Sequence, residues 1–236
     1  MSDLHGCYDE FMDMLKKIEF SDYDTLYIIG DISDRGEKGI PIFLYIMDKP
    51  NIKLILGNHD VWLLKYSEEL IRVKRGEALN MPNDFYVWLH YNGGTRTALP
   101  YMDLEFHQCY DLKTYLENCP KYLDIKVNEQ NYLLVHAGVG TDMENPKQPY
   151  ELDEHTLVWE KINLDDNPYD NKIMIVGHRP TFLRGDEYEY KMILRDKIYH
   201  IDCGCVYGRT LGCLRLEDKQ EFYVPSTYEY IKKYIQ

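Results

Sequence analysis

Polar side chains of the metal-binding type follow several apolar stretches of this sequence. Asp31 follows LYIIG, Asn58 and His59 follow KLILG, His136 follows YLLV, and His178 follows IMIVG. These stretches are short and largely apolar, which is typical of a strand covered on both faces. Because open α/β sheets bind ligands at the carboxyl ends of their strands, we expect these side chains to meet in one crevice.

Asp3 and His5, in MSDLHG, extend this group to a mixed set of oxygen and nitrogen donors. Such donors suit divalent ions, of which we expect Mn²⁺, with Fe²⁺ or Zn²⁺ as alternatives. The set has no thiol, which favours an open site over a closed structural zinc site. Six ligands are too many for one catalytic ion that also holds water. We therefore predict two ions roughly 3.5–4 Å apart that share one carboxylate and generate hydroxide for attack on phosphorus.

The composition favours a protein with one sizeable core and no membrane span. The chain has 236 residues, of which 44% are hydrophobic, so we predict a single domain over residues 1–236. It has no apolar run of bilayer length and no secretory pattern, which predicts a cytoplasmic protein. A net charge of −13 disfavours nucleic-acid and anionic-membrane partners, and a phosphorylated substrate would need bound cations.

The periodicity of apolar residues predicts helices that alternate with strands in the first half of the chain. Phe11, Met14, Leu15 and Ile18 fall on one face of a helix, and TLYIIGD is a strand. The next predicted elements are the helix GIPIFLYIMD, the strand IKLILGNHD and the helix VWLLKYSEELIRV. Later strands are predicted in KYLDIKV, NYLLVHAG, KIMIVGH, EYKMIL, KIYHIDCG, LGCLRLED and EFYV. We therefore expect a mixed α/β fold with two packed sheets and outer helices, a four-layer α/β/β/α sandwich.

Five motifs in order resemble those of the calcineurin-like metallophosphoesterases, specifically the prokaryotic phosphoprotein phosphatase branch typified by phage lambda phosphatase. They are SDLHG (2–6), GDISDRG (30–36), GNHD (57–60), LLVHAG (133–138) and VGHRP (176–180). The resemblance extends from residue 2 to about residue 217 and includes NGGTRT (92–97) and IDCGCVYG (201–208). Each motif alone is a weak signal, whereas the ordered set is specific.

The resemblance implies that the predicted metal ligands form two sets that share a bridging carboxylate. The first ion takes Asp3 and His5, the bridge is Asp31, and the second ion takes Asn58, His136 and His178. His136 or His178 alone would more often be an ordinary polar residue. The joint pattern makes ligation the preferred interpretation for both.

The resemblance also implies the residues that act on the substrate. His59 matches a general acid for the leaving oxygen, and Asp34 matches its orienting carboxylate. Arg35 matches a phosphate clamp, because a guanidinium binds two phosphate oxygens at once. Asn58 is a further predicted substrate contact.

Two departures from the family pattern affect these expectations. The family has a second phosphate-binding arginine in a Trp-x-Arg segment, where LVWEKI has Lys161, and we expect Lys161 or Arg179 to replace it. Relatives also have an apolar strand before the first motif, where only Met1 and Ser2 are found here. Whether that strand is missing from the natural protein is open. Its loss would loosen the first ion site, so we predict weaker metal binding there.

These features predict a dinuclear metal-dependent phosphomonoesterase. The expected substrate is a phosphoserine or phosphothreonine protein, with phosphotyrosine and small phosphoesters as further possibilities. A hydrolase of dinucleoside tetraphosphates is an alternative, because those enzymes share the five motifs. A non-catalytic phosphate-binding module is a second alternative, disfavoured because pure binding needs no proton donor such as His59. The physiological substrate and the oligomeric state are left open.

Overall fold

The computed structural model of the chain describes residues 1–78, 81–140 and 142–228. Its helices are α1 (Tyr8–Lys17), α2 (Gly39–Met47), α3 (Asn58–Lys74), α4 (Asn83–Tyr91), α5 (Thr95–Asp103), α6 (Phe106–Glu117) and α7 (Glu154–Trp159). Its strands are β1 (Leu26–Ile29), β2 (Ile52–Ile55), β3 (Tyr122–Val127), β4 (Gln130–Val135), β5 (Ile173–Val176), β6 (Ile193–Leu194), β7 (Ile198–His200), β8 (Thr210–Arg215) and β9 (Gln220–Pro225). In these residues no helix is long and apolar enough to cross a bilayer.

The strands of the described residues form three sheets. β1 and β2 are parallel, with Leu26 opposite Ile52, and β8 and β9 form an antiparallel hairpin. The largest sheet has the order β3-β4-β5-β7-β6, in which β4, β5 and β7 are parallel. In each group of parallel strands the carboxyl ends lie at the same edge of the sheet. The predicted site residues come directly after the strands at this edge.

In the part of the chain that the structure describes, three apolar cores separate four layers. One core lies between the helices α1–α6 and the sheets β1–β2 and β8–β9, and it includes Phe11 and Ile28. A second core joins these two sheets to the five-stranded sheet and includes Ile29 and Ile175. The third lies under α7 and includes Leu157. Ile28 and Ile29 enter different cores because successive side chains of a strand point to opposite faces. The predicted mixed α/β sandwich is confirmed.

The sequence predicted two sheets, but one of the two sheet layers consists of two separate sheets. β1 and β8 lie in the same layer and do not pair with each other. Beside β1, Met1 donates its terminal amine to the Tyr27 carbonyl at 3.1 Å and accepts from the Ile29 amide at 2.9 Å. A cavity of about 590 Å³ beyond Met1 is lined by residues of both strands, among them Leu26 and Leu214.

The helices α4, α5 and α6 were not predicted from the sequence, and α4 reaches the site. Phe85 and Trp88 of α4 are fully buried. Both rings pack on Tyr66 of α3, with centroids 4.6 and 5.5 Å away. This aromatic contact anchors α4 and fixes the direction of the Trp88 indole.

Candidate active site and metal centre

Asp31 lies at the centre of two clusters of metal-binding side chains. One contains His5, Asp31 and His59, and the other contains Asp31, His136 and His178. Within each cluster the candidate ligand atoms lie within 4.8 Å of one another. Oδ2 of Asp31 is 3.5 Å from His5 Nε2 and 3.3 Å from His136 Nε2. The structure thus brings residues from all five motifs into one crevice around the carboxylate predicted to bridge the ions.

Asn58 completes the second cluster from the first position of α3. Its Oδ1 lies 3.1 Å from His136 Nε2 and 3.0 Å from His178 Nδ1. The same turn aims the backbone N–H of His59 at Asp31 Oδ1, at 3.0 Å. The short connection from β2 to α3 therefore sets three predicted site residues relative to one another.

Backbone carbonyls orient two of the histidines. Nδ1 of His5 lies 2.7 Å from the Ser33 carbonyl, and Nδ1 of His136 lies 2.9 Å from the Ile29 carbonyl. Each Nδ1–H donates to its carbonyl, which directs Nε2 towards Asp31. Against the effect of burial, Asp31 raises the pKa of His136 to about 10. An ion that binds at this nitrogen would replace a proton.

Asp3 lies beside the second cluster rather than inside the first. Its two oxygens accept from the backbone N–H of His178 at 3.1 and 3.2 Å. A Cβ on Gly177 would overlap the Asp3 carboxylate, so only glycine allows this approach. His59, not Asp3, shares the 4.8 Å cluster with His5 and Asp31. The ligand role of Asp3 stays a prediction.

Asp202 is buried at the site beside Asp3 and Asp31, and the sequence did not predict it. Asp3, Asp31 and Asp202 are each no more than 3% exposed. Burial and the charge of Asp202 raise the pKa of Asp3 well above its usual range, and burial raises the pKa of Asp202 to about 6. Burial would raise the pKa of Asp31 too, but His136 and other histidines hold it well below its usual range. Buried carboxyl groups beside these nitrogen donors fit divalent cations, which would favour the charged form of the carboxyls.

Asp60 was also missed, although it lies inside GNHD. Its carboxylate accepts from the backbone N–H groups of Asp31 (2.8 Å), Ile32 (3.0 Å), Ser33 (3.2 Å) and Gly57 (3.1 Å). These bonds tie the loop after β1 to the turn after β2, and they hold Asp31 at a φ of 57°. No local pattern reveals this role, because the donors are backbone groups.

His59 and Asp34 form a buried pair. Nδ1 of His59 lies 2.6 Å from Asp34 Oδ2, which also accepts from Trp88 Nε1 at 2.7 Å. Thr97 Oγ1 donates to Asp34 Oδ1 at 2.7 Å. Burial raises the pKa of Asp34 to about 8, and burial together with the Arg35 charge lowers the pKa of His59 to about 3. Burial thus favours the uncharged form of both groups, and one hydrogen lies between His59 Nδ1 and Asp34 Oδ2.

The Arg35 guanidinium points into the site between two histidines. Nη1 contacts His5 Nε2, and Nη2 lies 2.9 Å from His59 Nε2. Its carbon lies 5.5 Å from the Tyr207 ring centroid. This position beside the first cluster suits the predicted phosphate clamp.

The two residues expected to replace the second family arginine differ in placement. Lys161 is exposed after the end of α7, whereas Arg179 is half-buried directly after His178. Neither forms a salt bridge within residues 1–78, 81–140 and 142–228. Proximity to His178 favours Arg179.

The sequence profile of the calcineurin-like phosphoesterases matches residues 1–208. The symmetrical bis(5'-nucleosyl)-tetraphosphatase of Haemophilus ducreyi is 28% identical over 94% of this chain and 96% of its own. That of Escherichia coli is 27% identical over 96% and 93%. A protein serine/threonine phosphatase of Saccharomyces cerevisiae shares the fold with a TM-score of 0.60 at 14% identity, over 98% of this chain and 80% of its own. The chain belongs to the calcineurin-like phosphoesterases, a family of metal-dependent hydrolases.

Proposed function

We propose that the protein is a dinuclear metal-dependent hydrolase of dinucleoside tetraphosphates that cuts them symmetrically into two nucleoside diphosphates. The two side-chain clusters that share Asp31 carry this proposal, because they fit a pair of divalent ions. The named activity of relatives that align along almost the whole chain supports the choice of substrate. The serine/threonine phosphatase predicted from the lambda phosphatase resemblance has weaker support, since the protein phosphatase reported above shares only the fold.

Each group of residues at the site would have its own role in the reaction. Ions bound by Asp3, His5, Asp31, Asn58, His136 and His178 would activate water and offset phosphate charge. Arg35 would donate two N–H groups to oxygens of the phosphate under attack. His59 would pass its Nε2 proton to the departing diphosphate oxygen, while Asp34 beside Nδ1 would hold the imidazole in position.

The decisive experiment compares substrates in the presence of Mn²⁺. Diadenosine tetraphosphate, a phosphoserine peptide and p-nitrophenyl phosphate would be incubated with the protein and the products separated by chromatography. We expect ADP as the sole nucleotide product and the highest kcat/KM for the tetraphosphate. AMP with ATP would overturn symmetrical cleavage, and a higher kcat/KM for the peptide would restore the protein phosphatase prediction.

A folded protein that turns over none of the three substrates would support the non-catalytic binding module. Elemental analysis of the purified protein would identify the metals and test the preference for manganese over iron or zinc. Two ions per chain are expected.

A further inference from the structure

A pair of arginines beside the second cluster lacks salt-bridge partners among the described residues. Arg179 follows the ligand residue His178, and Arg184 ends the short 3-10 helix Thr181–Arg184 that comes next. Both side chains are half-buried. Burial and the neighbouring charge of Arg179 lower the pKa of Arg184 to about 10. Two neighbouring guanidiniums without a salt bridge repel each other, and a bound anion would offset that repulsion.

The position of Arg184 is set by contacts around the loops that carry the histidines. Nη2 of Arg184 donates to the Ile162 carbonyl at 2.7 Å. The Ile162 side chain packs against Gly138, two residues after His136, since a Cβ there would lie 3.3 Å from Ile162 Cβ. Arg184 therefore lies on the His136 and His178 side of the site.

Arg184 also has donor capacity that the protein leaves unused. Its Nε is buried and has no hydrogen-bond partner among the described residues. The nearby carboxylate of Asp166 has a weaker, opposing influence on Arg184, and its Oδ2 accepts from Asn163 at 2.7 Å. A bound anion would pair with the charge of this half-buried guanidinium. Because a guanidinium matches phosphate in shape as well as charge, phosphate is the anion that fits.

We propose that Arg184, together with Arg179, binds phosphate groups of a polyphosphate chain beyond the one held by Arg35. Arg35 contacts His5 and His59, whereas Arg184 donates to the Ile162 carbonyl beside the loop that follows His136, so the two guanidiniums lie at different parts of the site. A phosphomonoester has one phosphate and can use only one of them. A tetraphosphate can span both. This inference rests on the proposed function for its substrate, and it makes Arg184 a determinant of polyphosphate specificity.

The test uses Arg184→Gln in the Mn²⁺-loaded full chain, with p-nitrophenyl phosphate as reporter. Inorganic tripolyphosphate and orthophosphate are the competing inhibitors. We expect the inhibition constant of tripolyphosphate to rise about tenfold, because one charge-assisted contact is lost. The constant for orthophosphate should change less than about twofold, since orthophosphate needs only Arg35. Equal changes for both inhibitors, or none, would overturn the proposal.

Arg215→Gln is the matched control, because Arg215 is an exposed arginine paired with Asp218 at 2.6 Å. It should leave both inhibition constants as in the wild type. If Arg184→Gln does not fold, Arg184→Lys replaces it as the test. Lysine keeps the charge but cannot donate two N–H groups in parallel, so a selective loss of tripolyphosphate affinity is again expected. If the wild type does not hydrolyse diadenosine tetraphosphate but binds tripolyphosphate through Arg184, the proposed substrate is refuted and the phosphate-binding role of Arg184 is retained.

Discussion

The Asp34 carboxylate lies 2.6 Å from Nδ1 of His59, and two helices remote in sequence hold it there. Trp88 of α4 donates to one oxygen, and Thr97 of α5 donates to the other. All four side chains are buried. This arrangement fixes the imidazole orientation, so Nε2 faces Arg35 and the substrate space.

Asp34→Asn should lower kcat for p-nitrophenyl phosphate by about 10- to 100-fold, the usual cost of removing a carboxylate that orients a histidine. Metal content should stay at the wild-type value, because Asp34 contacts His59 rather than the ions' predicted ligands. Steady-state kinetics and elemental analysis check both points. The exposed Asp48→Asn is the matched control. An unchanged kcat would show that the pair with His59 is only structural.

His59→Asn should retain both metals and lose about 100-fold or more of the activity, which is the usual contribution of a positioned proton donor. The loss should be larger for an alkyl phosphate than for p-nitrophenyl phosphate, since a poor leaving group depends more on protonation. Rates with the two substrates, measured beside metal content, provide the check. Normal turnover of the alkyl phosphate would exclude His59 as the acid.

The two metal ions should bind with unequal affinity, by about tenfold or more. Nη1 of Arg35 contacts Nε2 of His5, so an ion at the first cluster must displace a guanidinium. At the second cluster, ring nitrogens of His136 and His178 lie beside oxygens of Asn58 and Asp31. Titration of chelator-treated protein with Mn²⁺ by calorimetry would resolve the two affinities. Two equally tight sites would contradict the weaker first site expected from both the sequence and the structure.

His200 should make the folded protein less stable as the pH falls from about 6.5 to about 4. Burial, with the nearby charge of Arg184, lowers the pKa of folded His200 to about 4, although the Leu164 carbonyl and Asp165 oppose this and Arg179 adds to it. In this window the unfolded state takes up a proton and the folded state does not, which favours unfolding. Above pH 6.5 the effect vanishes.

His200→Gln removes this group while keeping a donor for the Leu164 carbonyl. Between pH 7.5 and 5 the variant should lose about 1–3 kcal/mol less stability than the wild type. Denaturant unfolding of the metal-free protein at the two pH values measures the difference. Identical pH dependence in both proteins would refute the assignment.

Local patterns were sufficient to predict most elements and the residues at their ends. The spacing of Phe11, Met14 and Leu15 predicts α1, which the structure has at Tyr8–Lys17. The hairpin of β3 and β4 and the strands β5 to β9 were predicted for the same reason. Apolar residues recur every 3.6 residues in a helix and every 2 residues in a strand, and both periods can be read from neighbouring positions of the chain. Since the carboxyl ends of parallel strands share an edge, the convergence of Asp31, Asn58 and His136 could also be expected.

The contacts that support those residues were decided only by the tertiary structure. Trp88 and Thr97 reach Asp34 across 54 and 63 positions of sequence. Asp202 comes to rest beside Asp3, and Arg184 lies near the loop after His136. These partners meet through packing between segments that are distant in sequence. Such packing has no periodic pattern in the sequence. The sequence by itself therefore determined which groups could bind metal and phosphate, whereas the packed fold decided which neighbours orient them.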